Sequence, residues 1–253
     1  MINNIKNSKK LNISFLHYKN KSKFSILFCP GFNSDMDGKK AQEILSWCKK
    51  KKIECVLFDY SGHGKSSGNI KTLGIKDWIS DTQLILKSVI TKPTIVIGAS
   101  MGGWIALRVG IQNPKKIIGL IGIASAPDFT ENLWHNILNK KQKMDIKYFG
   151  HTFISSKYNP QGYVISKKLI EDGKKSLLMK NKYINLKCPV KLIHGNLDEE
   201  VNIQNSFDIL DKIRSNKAEL TVIKNGDHRL SRPENLKTII NVLQNLKDEL
   251  FLR

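Results

Sequence analysis

The sequence predicts an α/β fold in which a mostly parallel central sheet is flanked by helices. Short apolar, β-branched runs alternate along the chain with segments of helical periodicity, the pattern of a chain that crosses one parallel sheet repeatedly. Several of these runs open into glycine-containing loops, which mark strand ends. The alternation of strand-like and helix-like segments is interrupted once, at about 127–187, and the sequence contains no internal repeat. We therefore expect a single domain over residues 1–253 with one insertion.

The individual elements follow from these periods in chain order. The apolar runs predict strands at residues 11–18, 24–29, 54–58, 94–97, 117–123, 190–194 and 220–223. Apolar side chains at helical spacing predict helices at residues 38–51, 76–90, 101–112 and 202–214. A last helix is expected after Pro233, since proline is favoured in the first turn of a helix.

One predicted strand-to-helix turn contains Ser100. The segment Gly98-Ala99-Ser100-Met101-Gly102 has the form G-x-S-x-G and lies between a buried strand and a helix. A turn this tight forces its middle residue towards positive φ, and the glycines let neighbouring backbone pass close to it. We therefore expect the Ser100 hydroxyl to stand clear of the sheet as a nucleophile. The alternative is a glycine-rich loop with an incidental serine.

A serine nucleophile needs a histidine base and an acid that orients the histidine. After an elbow of this kind the acid comes next in the chain and the histidine last, each behind a later strand. Asp198 follows one such apolar run and His228 follows the next, so we expect them to be the acid and the base. Glu199 is the alternative acid, with Asp198 then a helix N-cap, and His63 is the alternative base.

The same chemistry needs two backbone N–H donors for the oxyanion. One is expected from Met101, which follows the nucleophile. The other is expected from the loop after strand 24–29, where Pro30 and Gly31 turn the chain so that the Phe32 N–H faces the site. The Phe32 side chain is expected to form a wall of the pocket.

The composition excludes several function classes. Lysine and arginine number 42 against 22 aspartate and glutamate residues, a formal net charge of +20. Lysine dominates and is scattered, whereas nucleic-acid recognition favours clustered arginine and interleaved aromatic side chains, so we expect no nucleic-acid partner. No run approaches the roughly 20 apolar residues of a membrane span, so we expect no integral membrane association.

Two further features predict the compartment and the absence of cofactors. The N-terminal segment lacks the apolar core of a signal peptide, and the four cysteines have neither C-x-x-C nor metal-ligand spacing. Reduced thiols in a cytoplasmic protein are the expectation. Triad chemistry of the kind described above requires no metal and no organic cofactor.

With these residues assembled, the chain resembles the α/β-hydrolases. More narrowly it resembles the mitochondrial palmitoyl-protein thioesterase and acyl-glucuronide esterase group and its bacterial relatives. The resemblance rests on L-F-C-P-G-F-N-S-D-M-D-G-K-K-A, F-D-Y-S-G-H-G-K-S-S-G, G-A-S-M-G-G-W, L-I-G-I-A-S-A-P-D, and L-I-H-G-N-L-D followed by D-H-R. It covers residues 25–229. It implies a triad of Ser100, Asp198 and His228.

The resemblance further implies hydrolysis of carboxylic esters or thioesters through an acyl-enzyme on Ser100. The substrate would be an acylated small molecule or an acyl-protein. Two alternatives stay open: a perhydrolase or haloperoxidase-like use of the same triad, and a catalytically silent α/β-hydrolase fold that serves as a receptor or scaffold.

The insertion at about 127–187 lies where α/β-hydrolases carry their lid. It is rich in lysine and carries aromatic side chains among helix-like segments, which predicts a small helical lid over the site. The substrate pocket predicted in this way comprises Phe32, Trp104, Trp134 and Phe149. The alternative is an ordinary helical insertion that uses its aromatic side chains for a small core of its own.

Overall fold

The computed structural model, which describes residues 1–156, 159–215 and 217–251, is built on a central sheet. Its strands are β1 (Ile2–Lys6), β2 (Asn12–Tyr18), β3 (Ser25–Cys29), β4 (Glu54–Phe58), β5 (Thr94–Ala99), β6 (Ile117–Ile123), β7 (His151–Ser156), β8 (Asn159–Ser166), β9 (Val190–Gly195) and β10 (Ala218–Ile223). Among the described residues the central sheet has eight strands in the order β1-β2-β4-β3-β5-β6-β9-β10. The first two pairings are antiparallel and the others parallel, which confirms the predicted fold class.

Helices cover both faces of this sheet. They are α1 (Lys39–Lys51), α2 (Ile75–Ser88), α3 (Met101–Gln112), α4 (Phe129–Asn132), α5 (Lys140–Phe149), α6 (Lys167–Lys174), α7 (Gln204–Lys212) and α8 (Pro233–Phe251). Helices α1 and α8 share one core with Ile26 and Ile95, and helices α2 and α3 share the other with Leu27 and Val96. Neighbouring residues of one strand enter opposite cores, because side chains alternate across a sheet.

Strand β1 is an addition to the predicted elements. It pairs with β2 at the edge of the sheet, from Ile2 opposite Leu16 to Lys6 opposite Asn12. Four of its five side chains are exposed and the fifth is half-buried. A strand that buries so little carries no apolar alternation, which is why the sequence pattern does not predict it.

The insertion between β6 and β9 is less helical than predicted. Besides α4, α5 and α6 it contains a π-helical stretch, Leu133–Ile137, and the antiparallel hairpin of β7 and β8. The hairpin has a weak sequence signal because its buried side chain in β7 is polar Thr152, while Phe153 points to solvent. Two-stranded ribbons bury too little surface for a clear period of two.

The ends of the insertion are tied to each other and to the sheet layer. The Asp128 carboxylate accepts hydrogen bonds from the N–H groups of Leu178 at 2.8 Å and Met179 at 2.8 Å. The Ser166 hydroxyl donates to the Leu73 carbonyl oxygen, just ahead of α2, at 2.9 Å. These bonds hold the insertion over the carboxyl ends of the sheet strands.

The described helices are too short or too polar for a membrane span. Within residues 1–156, 159–215 and 217–251, none combines the length and the apolar character needed to cross a membrane.

Candidate active site

Ser100 lies at the strand-to-helix turn between β5 and α3. Its backbone angles, φ of 54° and ψ of −119°, lie in a region that residues other than glycine rarely adopt. The turn is so close to neighbouring backbone that a Cβ on Gly98 would overlap the carbonyl oxygen of Gly102, and one on Gly102 would overlap that of Cys29. Because both positions exclude a side chain, the G-x-S-x-G pattern is a steric requirement of this turn.

Three side chains form a hydrogen-bonded chain at the carboxyl edge of the sheet. Ser100 Oγ is 3.1 Å from His228 Nε2, and His228 Nδ1 is 2.8 Å from Asp198 Oδ2. The ring nitrogen that faces the carboxylate is therefore the donor, which leaves Nε2 free to accept the hydroxyl proton. This arrangement can deprotonate a serine as its oxygen attacks an electrophile.

The side chain of Asp198 is fully buried and has donors on both carboxylate oxygens. Oδ1 accepts the N–H groups of Glu200 and Val201, each at 2.9 Å. Oδ2 faces His228 and lies 3.1 Å from His194 Nε2. Burial works to raise the pKa of the Asp198 carboxyl, but the hydrogen bonds from His194 and His228 outweigh it and hold that pKa well below its ordinary value. Asp198 is consequently an anion that faces the imidazole of His228.

Backbone contacts set the positions of Asp198 and His228. The loop after β9 (196–203) carries Asp198, and the loop after β10 (224–232) carries His228. The Leu197 N–H donates to the Gly226 carbonyl oxygen at 2.9 Å, so the two loops are joined. Lys40 Nζ, from α1, donates to the carbonyl oxygen of Arg229, next to the histidine.

Met101 and Phe32, the two residues predicted to supply N–H donors, line the cavity together with Ser100. Met101 is the first residue of α3, where the N–H has no partner within the helix. Phe32 lies in the loop after β3. That loop is held by Asp59, whose carboxylate accepts the Met36 N–H at 2.7 Å and the Lys65 N–H at 2.8 Å.

Ser100 and His228 open into a cavity of about 1450 Å³. The side formed by the insertion is largely apolar, with Phe129, Leu133, Ile137, Ile154, Tyr163 and Ile165, and it also carries the polar residues Asn132, Gln142, Ser155 and Ser156. The other side carries charged residues, among them Lys39, Lys40, Glu199, Glu200, Arg229 and Arg232. The Phe32 ring lies within the apolar side, 6.1 Å from the Phe129 ring and 5.9 Å from that of Tyr163. The site can therefore hold an apolar group beside Ser100 and a polar group at the other side.

The predicted pocket residues are corrected by this lining. Phe32 lines the cavity, but Trp104, Trp134 and Phe149 do not. Trp104 is 0% exposed and lies behind Phe129, with 5.9 Å between ring centroids. Trp134 packs within the insertion, where Lys143 and Lys174 lie over its ring. Phe149 ends α5 and is 74% exposed, so it faces solvent.

The alternative base, His63, occupies a structural position. It is buried, its ring meets the Trp78 ring edge-on at 5.0 Å, and Nδ1 is 3.3 Å from the Ser61 carbonyl oxygen. Burial lowers the pKa of His63 to about 4. The alternative acid, Glu199, lines the cavity, whereas the carboxylate that meets His228 Nδ1 is that of Asp198.

Three residues that shape the site are not among the predicted site residues. Phe129 and Tyr163 line the cavity from the insertion, and no sequence period marks the direction of their side chains. His194 Nε2 lies 3.1 Å from Asp198 Oδ2, a contact that no sequence period predicts. The available signal was the four-residue spacing of His194 and Asp198 across the end of an apolar run.

The chain matches known proteins over most of its length. It matches the family described as serine aminopeptidase, S33, over residues 20–182. It is 36% identical over 226 residues to the mitochondrial palmitoyl-protein thioesterase ABHD10 of Rattus norvegicus, which covers 89% of this chain and 75% of the relative. The relative of the same name from Mus musculus is 35% identical over 240 residues, 94% of this chain and 80% of its own length.

A solved structure agrees with these sequence matches. Alpha/beta hydrolase domain-containing protein 10 from mouse superposes with a TM-score of 0.89 at 33% identity, over 99% of each chain. The chain therefore belongs to the hydrolase family described as serine aminopeptidase, S33. It is an α/β-hydrolase, an enzyme that cleaves ester or thioester bonds.

Proposed function

We propose that the enzyme transfers an acyl group from an ester or thioester to Ser100 and then to water. The observation that carries this proposal is the chain of contacts from Ser100 Oγ to His228 at 3.1 Å and from His228 to Asp198 at 2.8 Å, at the wall of a cavity large enough for an acyl chain. In this assignment Ser100 is the nucleophile, His228 the base and Asp198 the orienting acid.

The reaction proceeds in two acyl transfers. His228 Nε2 takes the hydroxyl proton as Ser100 Oγ attacks the acyl carbonyl carbon, and the imidazolium then returns that proton to the departing thiolate or alkoxide. The acyl group remains on Ser100. His228 next takes a proton from water, whose oxygen attacks the acyl-enzyme, and Ser100 leaves with the proton. Throughout, Asp198 holds the imidazole in the tautomer that keeps Nε2 available.

The oxyanion of each tetrahedral intermediate is assigned to the N–H groups of Phe32 and Met101. Support comes from their positions, since Met101 begins α3 and both residues line the cavity beside Ser100. Each donor of this kind lowers the barrier by about 3 kcal/mol in enzymes where one has been removed. No step of this mechanism needs a metal or an organic cofactor.

The substrate class follows from the two sides of the cavity. The wall formed by Phe32, Phe129 and Tyr163 suits an apolar acyl chain. The curated relatives are named palmitoyl-protein thioesterases, which supports a long-chain acyl thioester, on a protein or a small molecule, as the substrate. The insertion is assigned the part of a lid because it supplies much of this wall.

Two expectations about location and partners stay predictions. The curated relatives are named mitochondrial, whereas composition favours the cytoplasm for this chain. The absence of a nucleic-acid partner is a prediction that rests on the scatter of the lysines, and a binding measurement tests it.

Two alternative functions, a haloperoxidase-like enzyme and a catalytically silent receptor, are distinguished by activity assays. A haloperoxidase shows peroxide-dependent halogenation, and a silent receptor shows no ester turnover.

We expect Ser100→Ala to fold like the parent and to lose esterase activity by about 10⁴-fold or more, because the members of a triad act as one unit. The measurement is kcat/KM on a p-nitrophenyl ester, with the melting temperature as the check on folding. Ser80→Ala, at an exposed position of α2, is the matched control and should retain full activity. Activity of Ser100→Ala within tenfold of the parent would remove Ser100 from its role.

Substitutions of His228, Asp198 and His63 should lower kcat/KM by different amounts. His228→Ala should cost about as much as Ser100→Ala, while His63→Ala should cost far less. Asp198→Asn should fall between them, because a mis-oriented imidazole leaves the oxyanion donors in place. The acid assignment is decided by comparing kcat/KM of Asp198→Asn with that of Glu199→Gln. A larger loss in Glu199→Gln would make Glu199 the acid.

The apolar wall predicts how the rate depends on acyl length. Each buried methylene contributes about 0.8 kcal/mol, so every two carbons should raise kcat/KM by about tenfold until the pocket is filled. A series of acyl thioesters and oxygen esters from acetyl to palmitoyl measures this dependence. A maximum at acetyl with a steady decline would instead indicate a small closed pocket and a short-chain carboxylesterase.

A further inference from the structure

His194 is a buried histidine that has no role in the mechanism described above. It lies in β9, one residue before the end of the strand, and its side chain is 0% exposed. Nε2 is 2.9 Å from the Val201 carbonyl oxygen and 3.1 Å from Asp198 Oδ2. Nδ1 is 2.7 Å from the Ser206 hydroxyl on α7. Both ring nitrogens therefore have partners, and one of these is the carboxylate assigned as the acid.

The partners determine where the proton of the neutral ring resides. Nε2 faces two oxygens that only accept, the Val201 carbonyl and the ionised Asp198 carboxylate, so Nε2 carries the hydrogen and shares it between them. Nδ1 is then the acceptor, and the Ser206 hydroxyl is the donor that faces it. Because the partners of Nε2 make it the donor, Nδ1 of the same ring can only accept a hydrogen bond.

We propose that His194 is a positioning residue that holds Asp198 in place and, by sharing its negative charge, tunes the basicity of His228. The proposal rests on the proposed function, in which Asp198 is the acid. A single carboxylate oxygen, Oδ2, then lies between two imidazoles, His228 at 2.8 Å and His194 at 3.1 Å. The chain of contacts runs from Ser206 through His194, Asp198 and His228 to Ser100.

The spacing of the two residues produces this contact. The Asp198 N–H donates to the Gly195 carbonyl oxygen at 3.2 Å, so the chain reverses directly after β9. The reversal returns the Asp198 carboxylate to the end of the strand that carries His194. A turn this short leaves the backbone of Asp198 little freedom. The hydrogen bond from His194 further restricts rotation of the Asp198 side chain.

The effect on the base follows from the charge of the acid. A carboxylate stabilises the imidazolium form of its partner, and each further donor to the same oxygen reduces the charge available for this. A substitution that removes the His194 donor would leave more of the Asp198 charge to stabilise the imidazolium form, and we expect the acid limb of the pH profile to move to higher pH.

Other charged groups face His228 and must be constant in any test. Glu200 Oε2 lies 3.7 Å from Nε2. The remaining charged residues that line the cavity are Asp35, Asp37, Lys39, Lys40, Glu199, Asp227, Arg229 and Arg232. His194 also contacts the Val201 carbonyl oxygen, in the loop that carries Glu199 and Glu200. The comparison with His194→Gln, which keeps a donor at this place, separates the change at Asp198 from a displacement of that loop.

The test compares three substitutions at one position. His194→Gln places an amide N–H near Nε2 and retains the donor to Asp198, whereas His194→Asn is too short to reach it and His194→Leu has no donor. The readout is the pH dependence of kcat/KM on a p-nitrophenyl ester. His17→Gln is the matched control, since His17 is a half-buried histidine that pairs with Glu54 at 3.0 Å on strands β2 and β4, away from the cavity.

The Asn and Leu variants should lower the plateau of kcat/KM by about tenfold, the scale expected for the loss of one hydrogen bond to a charged group. They should also raise the midpoint of the acid limb by about half a pH unit or more. The Gln variant and the His17→Gln control should keep the parent midpoint. Should His194→Leu fail to fold, Ser206→Ala, which removes the donor to Nδ1, should raise the midpoint in the same direction.

The proposal is overturned if the acid-limb midpoints of the Asn, Leu and Ser206→Ala variants equal that of the parent, since a purely structural histidine would affect stability alone. Its failure is distinct from failure of the proposed function. Activity that persists in Ser100→Ala contradicts the proposed function, whereas unchanged midpoints with an inactive Ser100→Ala contradict only the part assigned to His194.

Discussion

The active-site geometry depends on a close approach of backbones around Ser100. Gly98 and Gly102 lie so near neighbouring carbonyl oxygens that neither position has room for a Cβ. This approach permits the φ of 54° at Ser100, a conformation that costs on the order of 1–3 kcal/mol and needs firm support from its surroundings. The close approach of Gly102 to Cys29 joins the turn to the end of β3, directly before the loop that carries Phe32.

The parallel sheet brings together residues that are distant in the chain. Ser100 and His228 are 128 positions apart, yet their side chains meet at 3.1 Å. The strands β5, β6, β9 and β10 are adjacent and parallel, so their carboxyl ends lie along one edge. The residues that follow β5, β9 and β10 consequently share one site. A turn directly after β9 and a bond between the two later loops complete the alignment.

The sequence predicts the positions of Ser100, Asp198 and His228 because each follows a strand with a clear apolar run. The pocket wall is less predictable, since it depends on side-chain directions in an insertion with no dominant period. Trp104 belongs to α3 but points into the core behind Phe129, and Phe149 ends its helix in solvent. The contact between His194 and Asp198 depends on the turn after β9, which the four-residue spacing alone does not specify.

Labelling with a fluorophosphonate, followed by intact-mass and peptide mass spectrometry, tests the central claim most directly: Ser100 is the nucleophile that His228 and Asp198 activate. The reagent reacts with a serine only where a base removes its proton and N–H groups hold the phosphonyl oxygen. The account predicts one phosphonyl group per chain, on the peptide that contains Ser100, and none in Ser100→Ala. Labelling at another residue, or an unlabelled enzyme that retains full hydrolysis, would contradict it.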